Sequence, residues 1–184
     1  MRDRRVDRQD ERATFGRGGD ATHYQMRQKL VSIGDDFWIE NDRGERVYKV
    51  DGKALRVRQT LIFENPQGQE LAKIQEKMVR VRDTMEIEGP NGETLATIKK
   101  AMITPLRDRW TVNVGTGPDM DIQGNILDHE YTIESGGQKV AEVSKKCFRV
   151  ADTYGVEVAP GQNNLVILAS TVAVDMMANP ARGG

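Results

Sequence analysis

The fold is decided by a run near the end of the chain, Asn163–Pro180, which reads NNLVILASTVAVDMMANP. Either asparagine at its start can accept a free backbone N–H and cap a helix, and the Asn-Pro pair at its end stops one. At about 100° per residue, the apolar side chains of Leu165–Ala178 point in nearly every direction. A helix that is apolar all round must be enclosed by protein or by lipid. Its polar residues are Ser170, Thr171 and Asp175.

Two other readings of Leu165–Ala178 are less favourable than a buried core helix. The helix would rise roughly 21 Å, short of the ~30 Å hydrocarbon layer of a membrane, and it would carry Asp175 inside that layer. A pair of strands would suit the Val and Ile residues. No Gly or Pro interrupts the run, however, and a strand pair needs a turn.

Composition predicts one cytoplasmic domain preceded by a tail. The chain has 184 residues and a formal net charge of −1, which excludes a globally basic nucleic-acid binder. Its one cysteine permits no internal disulfide, and Met1–Arg5 contains no apolar signal segment. Residues 1–21 are highly charged with mixed signs, so we expect a disordered tail before a domain at 22–180.

From His23 onward the sequence changes to short alternating runs separated by turn residues, the pattern of many short strands. Gly44, Gly68 and Gly92 recur every 24 residues, each where a hairpin turn needs a positive φ, and each precedes a new apolar alternation. This repeat predicts a β-meander rather than βαβ units. We expect about twelve strands: Gln28–Ile33, Phe37–Asn41, Glu45–Asp51, Arg58–Glu64, Glu70–Glu76, Val81–Glu88, Glu93–Lys99, Trp110–Val114, Met120–Ile126, Tyr131–Ser135, Lys139–Ser144 and Thr153–Val158.

A second repeat concentrates basic residues where one hairpin leads into the next. Lys77–Thr84 resembles Lys146–Thr153, and a looser copy begins at Lys99. One interpretation is the usual protection of strand ends by Lys and Arg. The other is a basic surface for a partner that bears phosphate groups. The candidate ligand-binding residues are Lys77, Arg80, Arg82, Lys99, Lys100, Lys145, Lys146 and Arg149.

Twelve antiparallel strands and one fully apolar helix are complementary parts. So many strands need closure to avoid long open edges, and a barrel of that size has a lumen that side chains alone do not fill. A helix is ~10–12 Å across with its side chains. We therefore expect a mostly β, α+β fold: a closed antiparallel barrel around a buried C-terminal helix.

Several segments resemble the LURP-one-related family, which is similar to the Tubby C-terminal domain and to phospholipid scramblases. The resemblance covers roughly 22–179 and implies a twelve-stranded barrel around a C-terminal helix. It implies less about function: Tubby domains bind phosphoinositides through basic surface residues, and scramblases act at membranes. The segments are His23–Leu30, Gly34–Phe37, Val50–Lys53, Gln123–Asn125, Val140–Lys146 and Leu165–Met177.

Catalytic chemistry has little support in the sequence, and we expect no enzyme, metal or cofactor. His129 has acidic neighbours and could act as a base, but a surface histidine at a turn is the favoured interpretation. Cys147 lies among basic residues that could lower its thiol pKa, although no base is placed beside it. Asp35 with Asp36, and Asp119 with Asp121, are more typical of turns than of a calcium loop.

The sequence therefore favours a non-catalytic, cytoplasmic binding module that acts peripherally at the membrane, with anionic phospholipid headgroups as the suspected ligand. The alternative is a protein-interaction or regulatory scaffold without lipid binding. Nucleic acid is not an expected partner, and the oligomeric state is open.

Overall fold

The computed structural model describes residues 20–27, 36–52, 60–77, 84–101, 108–145 and 153–178. The predicted tail, up to residue 19, lies outside these ranges. So do Arg80, Arg82, Lys146 and Arg149 of the basic set, and Cys147.

The described residues form a closed barrel of twelve antiparallel strands and one helix, as predicted. Each strand pairs with its neighbours in the sequence, and β1 closes the barrel by pairing with β12, from Thr22 opposite Val158 to Arg27 opposite Thr153. The elements are β1 (Thr22–Arg27), β2 (Phe37–Asn41), β3 (Arg46–Asp51), β4 (Thr60–Glu64), β5 (Glu70–Glu76), β6 (Thr84–Glu88), β7 (Thr94–Lys100), β8 (Asp108–Val114), β9 (Met120–Asn125), β10 (Glu130–Ser135), β11 (Gln138–Ser144), β12 (Thr153–Val158) and α1 (Asn164–Ala178).

The sequence did not predict β1, which occupies Thr22–Arg27. The first strand that we expected from the sequence, Gln28–Ile33, lies outside the described residues. Tyr24 and Met26 are buried and alternate with polar residues, so β1 has the ordinary pattern of a half-buried strand. Thr22–Arg27 contains no Leu, Val or Ile, so its strand signal is alternation alone.

The 24-residue repeat builds one kind of tight turn. Gly44 has φ +73°, and its N–H donates to the Asn41 carbonyl at 3.0 Å. Gly68 does the same with Asn65, and Gly92 with Gly89. Just before each of these turns, the pairing register between the two strands shifts by one residue. Such a shift is a β-bulge, which lets a tight turn connect two strands that twist.

The helix fills the barrel. The Asn163 side-chain oxygen accepts a hydrogen bond from the Val166 N–H at 3.2 Å, so Asn163 is the cap. Every residue from Val166 to Met176 is buried, and α1 packs mainly against β5, β6, β7 and β12. Inward side chains of the strands complete the core, with Trp110 and Tyr154 among the largest. None of the described helices is long and apolar enough to cross a membrane.

The meander gives the barrel two different ends. Connections from even to odd strands, and the link from β12 to α1, all lie at one end, here called the turn rim. Connections from odd to even strands begin and finish at the other end, here called the connection rim, where α1 also ends. Any two residues that follow odd-numbered strands therefore share one rim.

Ending the chain at Gln162 should abolish folding, because the barrel would lose the helix that fills it. The six large apolar side chains buried on α1 contribute about 1.5–3 kcal/mol each, comparable with the roughly 5–15 kcal/mol stability of a whole domain. Circular dichroism and thermal melting test this. A chain that ends at Ala178 keeps the helix and is the control. Cooperative melting of the shorter chain would show that the helix is not the core.

Candidate functional site

The connection rim brings part of the predicted basic set together. The Lys77 N–H donates to the Thr84 carbonyl at 2.9 Å, and Thr84 pairs with Lys99 in the next strand. The backbones of Lys77 and Lys99 are therefore two strand spacings apart, about 10 Å. Lys145 directly follows β11, four strands round the same rim, so it shares the rim but not the cluster.

The described lysines of this rim differ in how they are engaged. The Lys77 ammonium donates to Glu86 at 2.9 Å, and the Lys100 ammonium lies 5.4 Å from the centre of the Trp110 ring. Within the described part of the chain, Lys99 and Lys145 have no carboxylate at ion-pair distance. Lys99 is exposed, so its charge faces solvent. The two uncompensated ammonium groups are the ones best able to meet an anionic partner.

Glu86 compensates Lys77 electrostatically. The hydrogen bond from Lys77 is the main cause that lowers the pKa of the Glu86 carboxyl, a second hydrogen bond from Thr94 acts in the same direction, and burial opposes both. The charged form of Glu86 is thus stabilised by the fold. Lys77 consequently contributes less free positive charge to the rim than its sequence position suggests.

The turn between β9 and β10, at the same rim, presents an apolar side chain to solvent. Leu127 is 58% exposed, while its neighbours Ile126 and His129 are 0% and 4% exposed. Sequence reasoning did not single out Leu127. The one available signal was an apolar residue beside an aspartate in a short turn, which is common in proteins.

His129 is a buried residue, and the prediction of a surface histidine was wrong. It does sit in a turn, but its positive φ of 55° directs the ring inward, where it stacks on Tyr154 with ring centres 4.2 Å apart. Its Nε2 lies 3.3 Å from Oδ1 of Asp175 on α1, without hydrogen-bond alignment. The contact becomes an ion pair when the ring is protonated. The turn that carries Leu127 is therefore anchored to the central helix.

Two tyrosines complete this buried polar cluster. Burial raises the pKa of Tyr131 and of Tyr154 well above the usual value, and the negative charge of Asp175 adds to the effect in both. The hydroxyl of Thr171, one helical turn before Asp175, donates to the Ile167 carbonyl at 3.0 Å. The cluster lies inside the barrel wall, so it supports the turn and is not open to a surface ligand.

The acidic pairs give no sign of a cation site among the described residues. Asp36 lies 3.0 Å from the Lys49 ammonium, and Asp119 accepts hydrogen bonds from Asn113 and from the Val114 N–H. No group of three His, Cys, Asp or Glu side chains in the described ranges could hold a metal ion.

The comparisons with known proteins agree with this architecture. The sequence matches the family model of LURP-one-related proteins over residues 22–175. The chain belongs to the LURP-one-related family. The X-ray structure of a protein from Arabidopsis thaliana superposes with a TM-score of 0.63 at 17% identity, covering 86% of this chain and 91% of that chain. At that identity the likeness concerns the fold alone. No curated protein matches the sequence.

Replacing Glu86 with Gln should destabilise this LURP-one-related barrel at neutral pH by about 0.5–1.5 kcal/mol, because the charge-assisted bond to Lys77 is lost. Because the pKa of the Glu86 carboxyl is lower in the folded chain than in the unfolded chain, its ionised form stabilises the fold at pH values above the unfolded-state pKa. This stabilisation is lost as the pH falls through the folded-state pKa. The difference between wild type and Glu86→Gln in urea unfolding should therefore shrink below about pH 4. A pH-independent difference would contradict this.

His129 and Asp175 should be energetically coupled. We expect His129→Ala and Asp175→Asn each to lower the free energy of unfolding by about 1–3 kcal/mol, since each disturbs a buried polar group. The double variant should lose at least ~0.5 kcal/mol less than the sum. Strict additivity in chemical denaturation would mean that the turn and the helix do not depend on this contact.

Proposed function

We propose that this protein is a non-catalytic, cytoplasmic binding module that attaches peripherally to membranes by binding anionic phospholipid headgroups at the connection rim. The observation that carries the proposal is that the segments joining odd to even strands are basic in sequence, whereas those joining even to odd strands are acidic. The family membership is consistent with a Tubby-like binding module.

The charge difference follows from strand parity and sequence together. The six connections from odd to even strands contain eleven Lys and Arg against five Asp and Glu. The five even-to-odd turns and the β12–α1 link contain one Arg against four acids. Of these eleven basic residues, Lys77 and Lys145 lie within the described ranges, and the other nine are assigned to this end by the order of the sequence alone. An anionic surface would orient and hold the end that bears the connection rim.

Two of the described lysines have ammonium groups that are available to bind a lipid headgroup. The ammonium groups of Lys99 and Lys145 form no ion pair with a described carboxylate, so their approach to a phosphate does not require breaking an existing pair. The Glu130 carboxylate does accept the Lys145 backbone N–H at 3.2 Å. A basic residue near an anionic bilayer contributes roughly 1 kcal/mol, and the attraction falls off within a Debye length of about 8–10 Å. Several such residues on one rim give weak, salt-sensitive attachment.

The absence of an enzyme function is part of the proposal. His129, the residue with catalytic potential in the described ranges, is buried with Asp175 and two tyrosines inside the wall. A substrate at the surface would not reach its ring nitrogens. These groups are better explained as supports of the β9–β10 turn.

Charge reversal at the connection rim should remove membrane binding. Co-sedimentation with vesicles that contain anionic phospholipid should weaken by at least about 30-fold in the variant Lys99→Glu with Lys145→Glu, since two attractions of ~1 kcal/mol become repulsions. The matched control is Arg43→Glu with Arg46→Glu, which makes the same net charge change near the turn rim. This control should bind nearly as wild type does.

Two results would contradict the proposal. Wild-type protein that fails to bind anionic vesicles even at low ionic strength would remove the lipid function and favour the protein-interaction scaffold. Equal loss in both double variants would mean that net charge, rather than the connection rim, governs attachment. Circular dichroism of each variant confirms that the fold is retained.

A further inference from the structure

The β9–β10 turn has an apolar tip on the rim where the basic connections lie. Resting on the proposed lipid binding, we infer that Leu127 enters the headgroup region of an anionic bilayer and that the barrel stands on its connection rim. Charge alone attracts the barrel to an anionic bilayer but does not determine which side chain enters it.

Leu127 differs from every other large apolar side chain in the described ranges. It alone is exposed there, at 58% of its surface, whereas the rest of that group is buried or partly buried. A single exposed leucine is unremarkable by itself. Its position matters because it lies on the connection rim, between the strands of the barrel wall that end in Asn125 and begin with Glu130.

The exposure of Leu127 is fixed by the turn. The His129 N–H donates to the Ile126 carbonyl at 3.0 Å, and the Asn125 side chain exchanges hydrogen bonds with Asp128 at 2.6 and 3.1 Å. Below the turn, the His129 ring packs on Tyr154 beside Asp175. A turn whose backbone is already held in place loses little conformational entropy when its tip enters a new environment. The entropic cost of inserting Leu127 is therefore smaller than it would be for a leucine in a loose loop.

Asp128 and Glu130 are the acidic groups beside Leu127 that oppose insertion. The Glu130 carboxylate is engaged by the Ser144 hydroxyl and the Lys145 N–H. The Asp128 carboxylate accepts a hydrogen bond from the Asn125 side-chain amide at 2.6 Å, which directs it back toward the end of β9. Asp128 is one of five acids against eleven basic residues in the sequence of the odd-to-even connections. Asp128 and Glu130 therefore reduce the attraction locally, although the connections of this end hold more basic than acidic residues in sequence. The contribution that we assign to this turn is the apolar contact of Leu127.

An anionic bilayer is the occupant that fits both features. A basic rim with one apolar point suits an interface that is negative at the surface and apolar just beneath it. A protein partner that bound one leucine would need a complementary pocket, and one exposed side chain is far smaller than a stable protein interface. The bilayer requires no such pocket.

A probe of polarity at position 127 tests the inference directly. An environment-sensitive fluorophore is attached to Leu127→Cys in a Cys147→Ser background, and to Gln67→Cys in the same background as the control at the turn rim. Gln67 is exposed. With vesicles of mixed phosphatidylserine and phosphatidylcholine, emission from position 127 should shift to the blue and be quenched by lipid-borne quenchers. Emission from position 67 should change in neither respect.

A second comparison leaves Cys147 unchanged. Leu127→Ala should weaken vesicle binding by about three- to tenfold, because part of the leucine's burial in the interface is lost, whereas Leu127→Met should bind nearly as wild type does. Co-sedimentation measures both, and circular dichroism confirms the fold.

The outcomes separate this inference from the proposed function. Vesicle binding with an unshifted probe at position 127, or with equal affinity of Leu127→Ala and wild type, would overturn the insertion of Leu127 and leave lipid binding intact. A shift at position 67 instead would reverse the orientation. Failure of the wild type to bind vesicles at all would overturn the proposed function and the inference together.

Discussion

The mutual burial of one helix and one closed sheet is the constraint on which the rest of the molecule depends. α1 has no polar face to offer solvent, and the inward side chains of twelve strands surround more space than they fill. Each part therefore satisfies the other, and neither has an alternative partner within the described chain. This arrangement buries the polar side chains of Ser170, Thr171 and Asp175, which is unfavourable unless they form hydrogen bonds. The Thr171 hydroxyl does so by donating to the Ile167 carbonyl of its own helix.

Closure by a simple meander also organises the surface. Because consecutive strands alternate in direction, tight glycine turns collect at one rim and the more varied connections at the other. The turn rim is built from a repeated local motif and carries few charges. The connection rim holds Lys99, Lys145 and Leu127, and the anchor from His129 to Asp175 links it to the central helix. The repeated glycine turns and the candidate binding residues thus occupy opposite ends of one barrel.

The sequence predicted most of the fold because its main signals are local. The bounds of Glu70–Glu76 and Thr153–Val158 follow from alternation, and the helix follows from its caps and all-round apolarity. β1 was missed because Thr22–Arg27 contains no Leu, Val or Ile, and its pairing with β12 joins distant parts of the chain. In the candidate site, the basic repeat was visible in the sequence. The pairing of Lys77 with Glu86, the burial of His129 and the exposure of Leu127 depend on tertiary position, which no local pattern encodes.

The claim that the connection rim is the membrane-facing end is tested most directly by hydrogen exchange with mass spectrometry, with and without anionic vesicles. Backbone amides of the β9–β10 turn and of the residues next to Lys99 and Lys145 should exchange more slowly when vesicles are bound. Turns that contain Gly44, Gly68 and Gly92 should be unaffected. Protection at those glycine turns, or no local protection in a sample shown to be vesicle-bound, would contradict this assignment.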